Sequence, residues 1–168
     1  MSLCHLRAAC ELLDKPGWIA SDSIRQRMAN TCEIRVGRLV EIRADHGFRS
    51  VGDVDDMLDS MVRAASRIDA GLKYVIAADW RGVTIMSPEI AAEARAMLSK
   101  NNPRVERSAI LTLPEQSTTS LQVQRLVREA ENAQRRHFTD VHEQCKWLAQ
   151  VLNDAEKTRL HEFMGLAG

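Results

Sequence analysis

The chain has little of several features that mark particular classes of protein. Aromatic residues make up only 4% of its 168 residues, which leaves little material for stacking on nucleic-acid bases. Neither sign of charge is in surplus, because the 23 lysines and arginines equal the 23 aspartates and glutamates. The sequence therefore predicts a protein that does not bind nucleic acid.

Paired cysteines and long apolar runs are also missing. The four cysteines show no CxxC motif and no cysteine–histidine pair at zinc spacing; they are Cys4, Cys10, Cys32 and Cys145. We interpret them as reduced thiols, with Cys145 a small buried hydrophobic residue on a helix. No apolar run approaches the roughly 18 residues that span a bilayer, and no basic segment followed by an apolar one opens the chain. We therefore expect a cytoplasmic protein without a membrane span.

No sequence motif of an enzyme or a cofactor site is present. The patterns GxGxxG, GxxxxGK[ST], GxSxG and HExxH are all absent. Of the five histidines, only His137 and His142 are close in sequence, and their spacing does not place two metal ligands on one face of a helix. We therefore predict no metal, no cofactor and no enzymatic activity. An enzyme assembled from residues distant in sequence is the least favoured alternative.

The composition is that of an ordinary globular domain, with 45% hydrophobic and 27% charged residues. A chain of this length fits one domain. Residues 31–168 follow one continuous pattern of strands and helices, whereas residues 1–30 do not. We interpret residues 1–30 as an N-terminal appendage and residues 31–168 as a single domain.

Two hydrophobic periods alternate along residues 31–168. The runs TCEIRV and LVEIRAD alternate apolar and charged residues around Gly37-Arg38, which predicts a β-hairpin with one buried and one wet face. Continuous apolar runs predict covered strands in KYVIAAD and at 107–113, and RRHFTD predicts a short last strand. Helices are predicted at 50–68, from Ser87 to about Ser99, from Ser117 or Thr118 to about Asn132, and from Asp140 and Asn153 onward. This order predicts an α/β fold with a mixed, mainly parallel sheet of about five strands, opened by the hairpin and covered by helices.

The junction between the strand KYVIAAD and the next helix is the best candidate for a binding site. Asp79, Trp80 and Arg81 follow the strand directly, where open α/β sheets bind their ligands. An acid, an aromatic ring and a guanidinium in sequence suit a polar ligand or a protein partner. In the structural alternative, Asp79 caps nearby backbone N–H groups, Trp80 covers an edge of the core, and Ser87 is the N-cap of a helix that begins with Pro88.

The order and patterns of these segments carry a resemblance to a known family. The hairpin, the strand YVIAAD, the helix at MSPEIAAEA and the segments VERSAILTL and RRHFTDVHEQCKWLAQVL resemble the SpoIIAA-like or STAS (SEC14-like) bacterial domains over residues 31–152. The resemblance implies a regulatory domain in which a serine of an Asp-Ser-x-Gly motif is phosphorylated at the start of the helix. Ser87 matches that serine by position, while Met86 occupies the aspartate position and Glu89 the glycine position.

Three classes of function follow. The first is a non-enzymatic regulatory or protein-interaction domain that binds a protein partner through Asp79, Trp80, Arg81 and Ser87, with Ser87 a phosphorylation site. The second, implied by the SEC14-like side of the resemblance, is a carrier or sensor of a lipophilic or small anionic ligand in a cavity lined by Met57, Met61, Met86 and Met97. The third is an unrecognised enzyme. We also expect a homodimer, formed by the hairpin edge or by the terminal helices.

Overall fold

The computed structural model describes residues 30–166, which form five strands and five α-helices and confirm the predicted α/β class. The elements are β1 (Thr31–Ile34), β2 (Leu39–Arg43), α1 (Val51–Ala65), β3 (Tyr74–Asp79), α2 (Pro88–Lys100), β4 (Val105–Leu111), α3 (Ser117–Glu129), β5 (Arg135–Phe138), α4 (Val141–Ala149) and α5 (Asp154–Met164). A short 3₁₀ turn, Asn102–Arg104, leads from α2 into β4. Residues 1–29 of the predicted appendage lie outside the described residues.

The five strands form one sheet in the order β1-β2-β3-β4-β5. β1 pairs antiparallel with β2, and every later pair is parallel, as predicted for a mixed sheet. α1, α2 and α3 each connect two neighbouring parallel strands, and because such crossovers share one hand the three helices cover the same face. α4 and α5 cover the opposite face. The carboxyl ends of β2 to β5 therefore meet at one edge of a three-layer structure.

Each face of the sheet has its own hydrophobic core. In β3, Ile76 and Ala78 pack toward α1–α3, whereas Val75 and Ala77 pack toward α4 and α5. The interior of a strand buried on both faces is apolar, which explains the unbroken apolar run from Tyr74 to Ala78 in β3.

Side-chain caps set the starts of three helices at the predicted residues. Ser50 with Asp53 starts α1, and Asn153 with Glu156 starts α5, each pair forming a capping box. Asp140 caps α4 by accepting hydrogen bonds from two backbone N–H groups, at 2.7 and 3.2 Å. These caps join residues no more than three positions apart, so a short stretch of sequence is enough to predict them.

The hairpin turns at Gly37 and Arg38, as predicted, and the turn is fixed to α5. Across the turn, the backbone N of Leu39 donates to the carbonyl of Val36 at 3.3 Å. Gly37 has a φ of +55°, and a Cβ at this position would overlap Glu156 Oε1. The backbone N of Arg38 donates to that same oxygen at 2.8 Å. The glycine is therefore needed both for the backbone conformation and for the close approach of α5.

One prediction for the hairpin is wrong, because the face of β2 that carries Glu41 was predicted to be exposed to solvent and is buried. Glu33 and Arg35 are exposed, but Glu41 of β2 is only 3% exposed. α5 covers this face, and Arg159 binds both carboxylate oxygens of Glu41 with its Nε and Nη2, each at 2.7 Å. The partner of Glu41 lies 118 residues further along the chain, so local alternation does not reveal it.

Candidate functional site

Asp79 ends β3 and is bound within the chain. The residue is 3% exposed, and its carboxylate accepts hydrogen bonds from Nε and Nη2 of Arg81 at 2.8 and 2.7 Å. The backbone N of Arg81 donates to the same carboxylate at 3.2 Å. Burial raises the pKa of Asp79, but the hydrogen bonds and charge of Arg81, together with the charge of Arg43, outweigh burial and hold that pKa below its ordinary value. Asp79 therefore fixes the loop that contains Arg81.

Trp80 belongs to the core rather than to the surface. It is 1% exposed, and its ring packs edge-to-face on Phe48 with centroids 5.1 Å apart. Its backbone N donates to the carbonyl of Leu111 at 2.8 Å, which continues the pairing of β3 with β4. Its ring Nε1–H is buried and has no hydrogen-bond partner. These contacts correspond to the structural alternative for Trp80, and they leave Arg81 as the only partly exposed residue of the Asp79-Trp80-Arg81 segment.

Ser87 is exposed and caps α2. Its Oγ accepts a hydrogen bond from the backbone N of Ile90 at 3.4 Å, and Pro88 occupies the first helical position. The predicted cap role is confirmed. The phosphorylation of Ser87 stays a prediction.

The connection from β3 to α2 is held at two points. Gly82 packs directly on the main chain that follows β2, where a Cβ would overlap the carbonyl oxygen of Asp45. Further along, the side-chain amide of Gln122 on α3 accepts from the backbone N of Met86 and donates to its carbonyl, both at 2.9 Å. This pair of hydrogen bonds fixes the residues just before Ser87 against α3.

An apolar patch lies on this fixed connection and on the start of α3. Ile85 and Leu121 are the two most exposed large hydrophobic residues of the described chain, at 63% and 66%. Ile85 precedes Met86 and Leu121 precedes Gln122, so each is a sequence neighbour of one residue of the Gln122–Met86 hydrogen bonds. An open groove of about 520 Å³ is lined by Thr84, Ile85 and residues 115–119; Leu121 does not line it but lies one helical turn beyond Ser117. We define the Ile85 patch as Thr84, Ile85, Ser117, Thr118 and Leu121.

The arrangement of α3 places the patch residues together. Val123, Leu126 and Val127 form its buried side, so Leu121 lies on its outer side. Ser117 and Leu121 are four residues apart and therefore share one face of the helix. The N-cap residue of α3, Gln116, makes no side-chain hydrogen bond to the first turn of the helix.

A chain of hydrogen bonds joins a histidine to two hydroxyl groups near the same edge of the sheet. Thr112 Oγ1 lies 2.7 Å from His137 Nε2 and 2.7 Å from Ser120 Oγ, and Ser120 Oγ donates to the carbonyl of Leu113 at 3.2 Å. The spacing of these residues in the sequence, 8 and 25 positions, gives no local signal for this cluster. Thr112 and His137 come together because β4 and β5 are neighbours, with Leu111 opposite Phe138.

The hydrogen bonds among His137, Thr112 and Ser120 give this cluster a structural role. One arrangement gives every contact a donor: Ser120 donates to the carbonyl of Leu113, Thr112 donates to Ser120, and His137 donates to Thr112 from Nε2. In this arrangement the imidazole donates to Thr112 and is not the acceptor that a base would be. Burial lowers the pKa of His137, which favours this neutral form. The cluster ties α3 to β4 and β5.

The predicted methionine-lined cavity is present, but it is very small and is lined by only three of the four predicted methionines. Met57, Met61 and Met97 line an enclosed space between the helices and the sheet, but Met86 does not. Its volume is about 10 Å³. Drug-sized ligands occupy pockets of roughly 300–1,000 Å³, so this conformation has no room for a lipophilic cargo in that cavity.

The remaining candidates for chemistry are weak. Within residues 30–166, no group of three or more histidine, cysteine, aspartate or glutamate side chains is placed to hold a metal ion. Burial raises the pKa of Cys32 to about 12, with Glu33 adding to it, and raises that of Cys145 to about 11, so both remain thiols at neutral pH. No helix of this part of the chain combines the length and the apolar character needed to cross a membrane.

Comparison of the chain with protein-family models, with curated proteins and with solved structures finds no match. The fold defines the protein as a three-layer α/β domain with a mixed five-stranded sheet. The resemblance to SpoIIAA-like and STAS domains stays a prediction.

Proposed function

We propose that this chain is a non-enzymatic regulatory domain of the SpoIIAA-like or STAS type, which acts in the cytoplasm and binds a protein partner through the Ile85 patch. The observation that carries the proposal is the exposure of Ile85 and Leu121 beside a groove at the carboxyl edge of the sheet. Open α/β sheets bind their ligands at this edge.

The patch has the composition of the centre of an interface. Burial of an exposed isoleucine or leucine side chain contributes roughly 1.5–3 kcal/mol. Polar groups surround the two apolar side chains, because Thr84, Ser117 and Thr118 are on or beside the groove and Ser87 follows closely. An apolar centre with a polar rim is the usual anatomy of a protein–protein contact.

The patch is also rigid enough to bind at low entropic cost. Gln122 holds the main chain of Met86 with two hydrogen bonds, and Gly82 packs on the loop after β2. A partner therefore meets a surface that is already ordered, and ordering costs are a main reason why buried area does not convert into affinity.

Ser87 supplies the regulatory part of the proposal. A phosphate on its hydroxyl would place roughly 1.5–2 negative charges at the N-terminus of α2, two residues from Ile85. The helix dipole favours a negative charge there, while the neighbouring Glu89 opposes it. We propose that modification changes the charge beside the patch and so releases or recruits the partner.

Affinity purification from the native host tests the proposal. We compare the wild-type chain with Ile85→Ser/Leu121→Ser, and we use Val62→Ser/Leu72→Ser as the matched control because both of these residues are also exposed hydrophobics. We expect a partner that is enriched with the wild type and the control but lost with the patch variant. Equal enrichment with all three chains would contradict the proposal, and Ser87→Asp without any effect would remove the regulatory part.

A further inference from the structure

Three exposed hydrophobic side chains lie at the carboxyl edge of the sheet. Val51 begins α1, Ile85 belongs to the connection that leads to α2, and Leu121 lies in the second turn of α3. Their exposed fractions are 39%, 63% and 66%. Because these segments follow β2, β3 and β4, which are neighbours in the sheet, the three side chains succeed one another along that edge. An apolar segment that lies along the edge would therefore contact all three.

The chain enters the described domain at this same edge. Asn30 precedes β1, whose first residue Thr31 pairs with Arg43 at the carboxyl end of β2. The side chain of Asn30 donates to the carbonyl of Gly47 at 2.7 Å. Gly47 in turn packs on the connection after β3, where its Cβ would lie 3.6 Å from the backbone N of Thr84. One packed loop therefore separates Asn30 from the Ile85 patch.

The 29 residues that precede Asn30 are enough to reach the whole patch. The sheet of five strands is roughly 19 Å wide, because neighbouring strands lie about 4.8 Å apart. An extended chain covers at most about 3.3–3.6 Å per residue, so the 11 residues from Ile19 to Asn30 can span up to about 36 Å. That length exceeds the width of the sheet and allows a path along the edge to α3.

Residues 1–29 also contain side chains of the kind that an apolar patch binds. Trp18 and Ile19 are adjacent, and tryptophan is among the commonest anchor residues of protein interfaces. A segment on the same chain is present at an effective concentration on the order of millimolar, which favours it over a second copy. We propose that residues 1–29 bind the Ile85 patch of their own chain through Trp18 and Ile19.

This contact gives the patch a built-in competitor. The bound segment covers the surface that the protein partner uses, so the partner must displace it, and its apparent affinity is reduced by the fraction of chains that are covered. The competition rests on the proposed function of the patch, whereas the contact within the chain does not.

Photo-crosslinking of the purified full chain tests the contact. A photoreactive amino acid replaces Ile85 in one variant and Leu72 in the control; Leu72 is exposed but precedes β3, at the opposite edge of the sheet. Each variant is irradiated as a mixture of heavy-isotope-labelled and unlabelled chains, and mass spectrometry identifies the linked peptides. We expect position 85, but not position 72, to link to residues 1–29 of a chain with the same label. Links that join two chains, or no link from position 85 to residues 1–29, would overturn the proposal.

Quenching of tryptophan fluorescence by iodide gives the matching test in solution. The chain has three tryptophans, and Trp80 and Trp147 are buried, at 1% and 8% exposure. Quenching by this charged ion therefore reports mainly on Trp18.

The patch variant, Ile85→Ser/Leu121→Ser, removes the apolar surface that the segment is proposed to bind. We expect its quenching constant to rise by about twofold or more over that of the wild type, because Trp18 becomes accessible. The control, Val62→Ser/Leu72→Ser, is expected to behave like the wild type. Equal quenching of all three proteins would overturn the proposal.

Failure of this proposal can be distinguished from failure of the proposed function. Crosslinking and quenching use the purified chain alone, whereas affinity purification from the native host tests the partner. Trp18→Ser/Ile19→Ser connects the two, because a chain with an uncovered patch is expected to enrich the partner more strongly than the wild type does. Enrichment equal to or below that of the wild type would overturn the competition.

Discussion

Buried charged side chains have different partners on the two faces of the sheet. On the face covered by α4 and α5, Glu41 is paired with Arg159, and the buried Glu156 accepts hydrogen bonds from the hairpin and from the cap of α5. On the face covered by α1–α3, the buried Arg135 donates its side-chain hydrogen bonds only to neutral groups of the described residues. The α4–α5 face therefore pairs its buried carboxylates within the chain, although Nε of Arg107, which packs against α4, is also buried without a partner among residues 30–166.

The comparison separates structural from functional candidates. Gln144 Oε1 is also unpartnered on the α4–α5 face, but its amide Nε2 donates to the carbonyls of Ala78 and Ala109, and the residue carries no charge. The α1–α3 face contains the buried Arg135, without a carboxylate partner in the described part of the chain, and, at its carboxyl edge, the exposed Ile85 patch. Under the proposed function, binding takes place on the α1–α3 side, at the Ile85 patch.

Loss of Arg159 is expected to have the largest effect on stability. Arg159→Met leaves the carboxylate of Glu41 buried without a partner, so we expect the free energy of unfolding in urea to fall by about 3–5 kcal/mol. The double variant Glu41→Met/Arg159→Met removes both charges and is expected to recover most of this loss. A loss below about 1 kcal/mol for Arg159→Met would show that the pair does not anchor α5.

Gly37→Ala is expected to have the next largest effect, again on the α4–α5 side. The substitution forces a residue with a Cβ into a positive φ and displaces Glu156 from the turn. We expect a loss of about 2–4 kcal/mol in the same urea experiment. Gly71→Ala is the control, because a Cβ at Gly71 meets nothing within 4 Å. Equal effects of the two substitutions would contradict the role of the turn.

Asp79→Asn tests the ion pair with Arg81 at the carboxyl edge of the sheet. Because Arg81 is partly exposed, we expect a loss of only about 1 kcal/mol at pH 7. The pKa of Asp79 is lower in the folded chain than in the unfolded chain, so its contribution is complete above about pH 4 and is lost as the pH falls through the folded pKa. Urea unfolding of the wild type and of Asp79→Asn at several pH values measures the difference in their free energies of unfolding. A difference that grew on acidification would contradict the sign of the shift.

Ile85→Ser is expected to change stability least. The side chain is exposed, so the free energy of unfolding should stay within about 0.5 kcal/mol of the wild type. Binding to the partner is expected to weaken roughly 10- to 150-fold, measured by calorimetry, because the partner no longer buries an apolar side chain. Leu72→Ser serves as the control, and the two variants binding equally well would count against the patch.

Short-range features of the fold were predictable from the sequence. The capping pairs Ser50–Asp53 and Asn153–Glu156 involve neighbouring residues, and the cap at Ser87 depends only on itself and on Pro88. The order of strands and helices followed from periodicity, because each element buries a face of its own.

Features that depend on distant residues were not predictable. The burial of Glu41 requires Arg159, and the cluster of Thr112, Ser120 and His137 requires β4, α3 and β5 together. Trp80 lies between an aspartate and an arginine, which suited either a binding role or a place at the edge of the core; the contact with Phe48, 32 residues earlier in the chain, shows that Trp80 is a core residue.

Site-specific photo-crosslinking in the native host tests the central claim, that the Ile85 patch binds a protein partner, most directly. Four single-site variants carry a photoreactive amino acid: two at the patch residues Ile85 and Leu121, and two controls at Val62 and Leu72, which have comparable exposure. We predict one discrete crosslinked protein at both patch positions and none at the controls. A crosslink to a second copy of the chain would assign the patch to a homodimer instead. The same products at all four positions, or none at any, would contradict the account.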